Sequence, residues 1–188
     1  MHLLAAQPGA LTDSEEAVDL AQSPGALVFL SAADTDLALI TAAQEAALLD
    51  DTEAPSLRAA NLMQLAHPMS VDLYVERVIR GAKVVVVRLL GGKAYWSYGV
   101  EQLVSACQET GARLAFLPGD DKPDAELRAW STLDGADYEA LWFLMIQGGA
   151  INARAAVAGL GRLARGAAAG FATAEPLAEN GILSAPGP

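Results

Sequence analysis

Residues 83–99 read KVVVVRLLGGKAYWSYG, and the four consecutive valines at 84–87 constrain the fold more than any other feature of the chain. A β-branched side chain packs well on a pleated surface and loses rotamer freedom in a helix. A continuous apolar run, rather than an alternating one, predicts a strand buried on both faces, as in the middle of a parallel sheet. The run ends in Arg88, Leu89 and Leu90, and the pair Gly91 and Gly92 breaks it before an aromatic cluster at Tyr95, Trp96 and Tyr98. In open α/β sheets, ligands bind just past the carboxyl ends of the strands. Arg88, Gly91, Gly92 and Lys93 are therefore the first candidate site residues. A tight turn with no ligand accounts for the glycines equally well.

The same alternation recurs along the chain. LVFLS at 27–31, SLRAANL at 56–62 and RLAFL at 113–117 predict strands, each followed by a helical pattern. After the first strand, Asp34 or Thr35 can cap a helix whose apolar stripe is Leu37, Ile40, Ala47 and Leu48. Ser70 is a candidate cap for a helix over 71–80, with Val71, Tyr74, Val75 and Val78 toward the sheet. A helix over 95–110 buries Val100, Leu103, Val104 and Cys107 and stops at Gly111. Further helices are predicted at 125–130, 133–147 and 151–168. In the last of these, Ala158, Gly159 and Gly161 predict close approach of another backbone. A weak extra strand at 2–5 is ended by Pro8 and Gly9. His2, in that stretch, is a poor ligand candidate.

Repeated strand-then-helix order, joined by right-handed crossovers, gives a fold class of α/β type. The expectation is an open, mostly parallel sheet with helices on both faces, a flavodoxin-like or Rossmann-like three-layer arrangement. One domain spans 1–168, and 169–188, with Pro176, Pro186 and Pro188, reads as an extended tail or the start of an interdomain linker. A chain of 188 residues, 53% hydrophobic, can bury such a core without staples.

Charge and cysteine content narrow the function classes. A formal charge of -11 argues against binding to nucleic acid and against adhesion to an anionic membrane. The acid is concentrated early: residues 1–60 carry ten acidic side chains and one base, Arg58. That is either a solvated face or a surface for a basic partner. The single Cys107 excludes a disulfide within the chain and is expected in the core. The start does not read as a signal peptide and no apolar run has membrane-spanning length, so the expected localisation is cytoplasmic.

Familiar chemical motifs are missing. The dinucleotide fingerprint G-x-G-x-x-G, the phosphate loop ending in Gly-Lys-Ser/Thr and the G-x-S-x-G elbow do not occur. His67 is the only internal histidine, placed in a post-strand loop without a second histidine or cysteine at metal-site spacing. Asp120 and Asp121 follow the 113–117 strand. Adjacent carboxylates there can bind a cation, orient a base or cap a helix, and Lys122 can neutralise them.

Three longer stretches carry a resemblance. HPMSVDLYVERV at 67–78, VVVRLLGGKAYWSYGVEQL at 85–103 and LPGDDKPDAEL at 117–127 resemble the N-terminal region of one family. It is the large, porphyrinoid-binding subunit of aerobic ATP-dependent cobaltochelatase, with the magnesium chelatase large subunit as a wider relative. SAADTDL at 31–37, PSLRAANL at 55–62 and QGGAINA at 147–153 fit as well, so the resemblance covers nearly the whole chain. It implies a head domain of a subunit exceeding a thousand residues. That complex inserts Co2+ into hydrogenobyrinic acid a,c-diamide in cobalamin biosynthesis.

The partners implied are the remainder of the large subunit, an AAA+ ATPase subunit, a metal-binding adaptor subunit and the tetrapyrrole substrate. The resemblance further implies that this chain binds no cofactor itself, Co2+ and ATP being used by the full complex. It is expected to be inactive alone, with catalytic residues beyond 188. His67, Arg88, Gly91, Gly92, Asp120 and Asp121 match family motifs and are the substrate- or partner-facing candidates. Arg88 would pair with a substrate carboxylate, or with Asp120 or Asp121, and His67 would serve as a weak axial ligand or hydrogen bonder. Two other readings remain open: an acidic interaction or scaffold domain, and a small flavodoxin-like binder of a corrinoid or flavin.

Overall fold

The computed structural model of the chain describes residues 16–176. The expected strand at 2–5 and the prolines at 186 and 188 lie outside the described residues. Four strands form one sheet: β1 (Leu27–Ser31), β2 (Leu57–Asn61), β3 (Val84–Leu89) and β4 (Arg113–Pro118). All pairings are parallel and the order is β2-β1-β3-β4. These are the first four positions of the flavodoxin-like order. The valine run is the core of β3, with Val84, Val85, Val86 and Val87 buried on both faces of the sheet.

Among the described residues six α-helices follow the strands: α1 (Asp34–Asp50), α2 (Pro68–Arg77), α3 (Ser97–Thr110), α4 (Ala125–Trp130), α5 (Gly135–Gln147) and α6 (Gly149–Ala164). The chain moves outward from β1 to β2 through α1, then back across to β3 and β4 through α2 and α3. Crossovers of one hand moving in opposite directions must lie on opposite faces. Accordingly, Leu27, Phe29, Val84 and Val86 pack with α1, α5 and α6, whereas Val28, Leu30, Val85 and Val87 pack with α2, α3 and α4. The result is a three-layer α/β fold.

Several helix details differ from the sequence-based expectation. α1 starts at Asp34 after an Ala33 cap without a side-chain hydrogen bond, and its buried side is Asp36, Ile40, Ala43 and Gln44. Leu48 is exposed, because the helix meets the sheet on the side that buries an acid, a pattern an apolar-stripe search misses. α2 starts three residues before the expected point. Pro68, whose missing N–H is no loss in a first turn, occupies its first position, and His67 Nδ1 accepts from the Met69 amide at 3.1 Å as the cap. Ser70 is instead buried inside the helix, its hydroxyl accepting from the Val18 amide at 2.7 Å. Gly111 caps α3 in the left-handed region, as its position predicts.

The segment before β1 covers the open edge of β2. Gln22 donates to the Ala59 carbonyl, and Arg58 donates to the carbonyls of Ser23 and Pro24. At the other end, residues 171–176 are extended and tied back onto α6. The Phe171 ring lies against Gly159, where a Cβ would come within 2.2 Å of it. Gly159 thus receives an aromatic side chain, not the backbone expected from its small size. Asn152 donates to the Gly148 and Glu175 carbonyls and accepts from the Glu175 amide.

Cys107 lies on the buried side of α3, and that burial pushes its thiol up to about 12. At the start of the same helix, Gly99 lets Trp96 fold under α3. A Cβ at Gly99 would stand 2.0 Å from the indole, whose N–H donates to the Leu65 carbonyl at 2.9 Å. This bond joins the loop after β2 to the loop after β3. In an open helical position, Gly99→Ala would stabilise by up to about 1 kcal/mol. Here overpacking of about 1–3 kcal/mol opposes it and wins. Urea unfolding should show a lowered midpoint, and an unchanged or raised midpoint would mean that the indole has room to move.

Candidate functional site at the carboxyl edge of the sheet

Because the strands are parallel, the loops after β1, β2, β3 and β4 emerge at one edge. The connections from β1 and from β3 leave in opposite directions, so a crevice opens between their ends. Arg88, the next-to-last residue of β3, points into that crevice from the α1 side of the sheet. Its side chain is only 12% exposed, and it donates to Asp36 Oδ1 at 2.6 Å and to the Gly119 carbonyl at 3.0 Å, with a longer contact to the Pro118 carbonyl. The other oxygen of Asp36 accepts from the Ser31 hydroxyl at 2.8 Å, and that hydroxyl accepts from the Ala33 amide. One guanidinium thus joins the end of β1, the first turn of α1, β3 and the end of β4.

The partner of Arg88 is Asp36 and not Asp120 or Asp121. β1 lies beside β3, and the first turn of α1 brings an acid directly over the crevice, whereas the carboxylates at 120 and 121 belong to an exposed loop beyond β4. Asp120 accepts from the Lys122 amide at 3.2 Å, and its carbonyl accepts from the Trp142 indole. Asp121 is exposed. The acid that caps α4 is Asp124, accepting from the amides of Glu126 and Leu127.

The glycine motifs have a packing role. A Cβ at Gly119 would lie 3.0 Å from the backbone of Leu90, and one at Gly92 would lie 3.0 Å from the Asp124 carboxylate. Gly91 and Gly92 both take positive φ. The loops after β3 and β4 therefore touch along their backbones and divide the edge into two cavities. The first, of about 340 Å³, has Ser31, Asp36 and Arg88 as a polar floor and Ala32, Leu90 and Tyr95 as apolar walls. The second, of about 320 Å³, is polar and gathers Gly91, Gly92, Lys93, Asp120 and Asp124.

Of the six sequence candidates, Arg88 lines the first cavity, and Gly91, Gly92 and Asp120 line the second. His67 and Asp121 line neither. The imidazole of His67 is committed through Nδ1 to its capping role, leaving Nε2 without a hydrogen bond among the described residues. The residues that sequence reasoning passed over are Ser31, Asp36, Leu90 and Tyr95. Ser31 and Asp36 were both within SAADTDL, where a serine at a strand end five residues before an acid in the first turn of the following helix was the available signal. Among the described residues no group of three His, Cys, Asp or Glu side chains is arranged to hold a metal ion. No helix among them is long and apolar enough to cross a membrane.

No family model matches the chain. Two curated proteins do: aerobic cobaltochelatase subunit CobN from a Sinorhizobium species, 49% identical over 156 residues, and that from Pseudomonas aeruginosa, 50% identical over 153 residues. The chain is homologous to the N-terminal part of CobN-type cobaltochelatase large subunits. In each case 81% of the chain is matched, and it spans 12% of the relative's length. Among solved structures, the catalytic subunit of cobaltochelatase from Mycobacterium tuberculosis matches with a TM-score of 0.62 and 25% identity. That match covers 85% of this chain and 12% of that one.

The Asp36–Arg88 pair is buried enough that losing one partner strands the other. Asp36→Ala and Arg88→Ala are each expected to cost about 3 kcal/mol, whereas the apolar double variant Asp36→Leu/Arg88→Met should regain most of that loss. A double-mutant cycle by urea unfolding, closed with Asp36→Ala/Arg88→Ala, reads the coupling. Additive single costs with no regain would remove the pair from its central role.

Proposed function

We propose that this chain acts as the head domain of a cobaltochelatase large subunit. In this reading the complete complex works in cobalamin biosynthesis in the cytoplasm. It inserts Co2+, a substrate, into hydrogenobyrinic acid a,c-diamide while partner subunits hydrolyse ATP. The observation that carries the proposal is the identity of about one half to two CobN subunits over four fifths of the chain. An AAA+ ATPase subunit and a metal-binding adaptor subunit are the proposed partners. The isolated chain is proposed to be inactive, holding no cofactor, with the insertion chemistry on the rest of the large subunit.

Within that assembly, the crevice between β1 and β3 is the proposed substrate-facing surface. Its floor is a neutral ion pair with unused hydrogen-bonding valence, and its rim is apolar. Such a surface suits the edge of an amphipathic macrocycle bearing polar arms. Leu90, large, apolar and 61% exposed, stands at the rim. The second cavity, with Lys93, Lys122, Asp120 and Asp124, is the proposed polar flank. The acidic-scaffold alternative loses support because Asp19, Asp36 and Asp51 from the acidic first third each pair with an arginine of the same chain.

Titration of the chain with hydrogenobyrinic acid a,c-diamide, followed by the ligand's visible absorbance, tests the substrate-facing surface. Leu90→Asp should weaken saturable binding by about tenfold, equivalent to roughly 1.4 kcal/mol. His67→Asn retains a capping acceptor and should leave both stability and binding unchanged. Absence of saturable binding by the folded chain would sink the substrate-facing part of the proposal. A binding loss confined to His67→Asn would move the surface to the β2 side.

A further inference from the structure

Helix α5 is apolar on two sides. Tyr138, Leu141, Trp142 and Met145 are buried beneath it, yet its outward side carries Ala140 and the half-exposed Phe143. Its acids, Asp137 and Glu139, lie near its start, and the apolar outward side toward its end is the kind of helix face that packing ordinarily covers. Residues 171–176 run beside it, and between the two lies a groove of about 480 Å³ lined by Ala140, Phe143, Gln147, Phe171, Ala174 and Pro176, with no charged side chain in its lining.

The groove is already built. Phe171 is seated on Gly159, Arg162 donates to the Ala169 and Gly170 carbonyls, and Asn152 holds Glu175 by both its amide and its carbonyl. A partner would not have to order this wall on binding. Other faces are differently furnished. The β2 edge is covered by residues 22–24. The outer side of α2 and α3 carries the Arg77–Asp19, Arg80–Glu76 and Arg80–Glu109 pairs, which suit water.

The relatives supply the occupant. This chain spans 12% of their length, so their head region has a polypeptide several times its size to pack against. We propose that the groove between α5 and residues 171–176 is the seat of an apolar segment from the remaining CobN-type large-subunit polypeptide. The proposal rests on the head-domain reading above. An uncharged groove takes a large aliphatic or aromatic side chain without burying an unpaired charge on either partner.

The test uses a chimera. Residues 16–176 of this chain replace the homologous N-terminal stretch of the Pseudomonas aeruginosa relative, and amide exchange is compared with that of this chain alone. The amides of residues 140–147 and 171–175 should exchange about tenfold more slowly in the chimera. Phe143→Asp and, separately, Ala140→Glu should abolish that protection in the chimera while leaving the thermal midpoint of the isolated chain unchanged. Equal exchange in the two contexts, or new protection confined to the α2–α3 face, overturns the proposal. Concentration-dependent protection of the groove in this chain alone overturns it in favour of a second copy. Cobalt insertion by the chimera, with the other subunits, ATP and hydrogenobyrinic acid a,c-diamide, is read separately. A chimera that inserts cobalt without groove protection discards only the docking face. One that shows the protection without inserting cobalt discards the functional reading.

Discussion

A guanidinium placed near the end of a strand buried on both faces must be compensated where it stands. β3 is otherwise apolar, and Arg88 has little access to water, so its charge must be met by protein groups. Asp36 supplies the opposite charge and the Gly119 carbonyl a further acceptor. Meeting that demand shapes the edge. The β4 loop must turn its carbonyl inward, which brings residue 119 onto the backbone of Leu90, where a side chain has only 3.0 Å. Asp36 in turn must sit in the first buried turn of α1, held by Ser31. The separation of the edge into two cavities follows from the same contact between loops.

The sheet was legible because its signal is local. β1 has the expected bounds 27–31, and β3 starts with the valine run and ends before the Gly91–Gly92 break, since β-branched and apolar runs bounded by glycine or polar residues leave few alternatives. Helix ends were less legible. At α2, Pro68 and His67 outcompeted Ser70 for the first turn, and the competition depends on Val18, fifty-two residues away, taking the serine hydroxyl. The site was half legible for the same reason. The edge and the residue Arg88 follow from strand logic, but its partner depends on which strand lies beside β3. Asp36 and Asp120 are both plausible in sequence, and only the β2-β1-β3-β4 order decides between them.

The motifs that carry the family resemblance divide, in the structure, between residues with an architectural duty and residues with none. In HPMS, His67 caps α2 and Ser70 holds the segment before β1. In RLLGG, Arg88 locks the edge and Gly92 makes room for Asp124. In PGDD, Gly119 packs on Leu90 and Asp120 fixes its own turn. Most of these residues are therefore accounted for by folding alone. A recurring motif at a strand end need not be a ligand contact. Here it marks where four chain segments must be held in register with one buried charge.

That division also says where recognition is to be sought. A side chain that folding does not use is free to be selected by what it meets, and at this edge the large ones are apolar: Leu90 and the partly covered Tyr95. On the outward side of α5 Phe143 is in the same position. Exposed apolar side chains scattered singly are ordinary, but each of these borders a cavity rather than a flat charged surface. The two sites also differ in kind. The edge cavity has a polar floor that can orient a small polar arm, whereas the α5 groove has no charged lining and orients by shape. In the proposed reading the domain both faces a polar-armed macrocycle and sits on a much larger polypeptide, and it presents one surface of each type. The buried Asp36–Arg88 pair can serve the first because its neutrality leaves hydrogen bonds to offer without net charge to repel either sign of ligand.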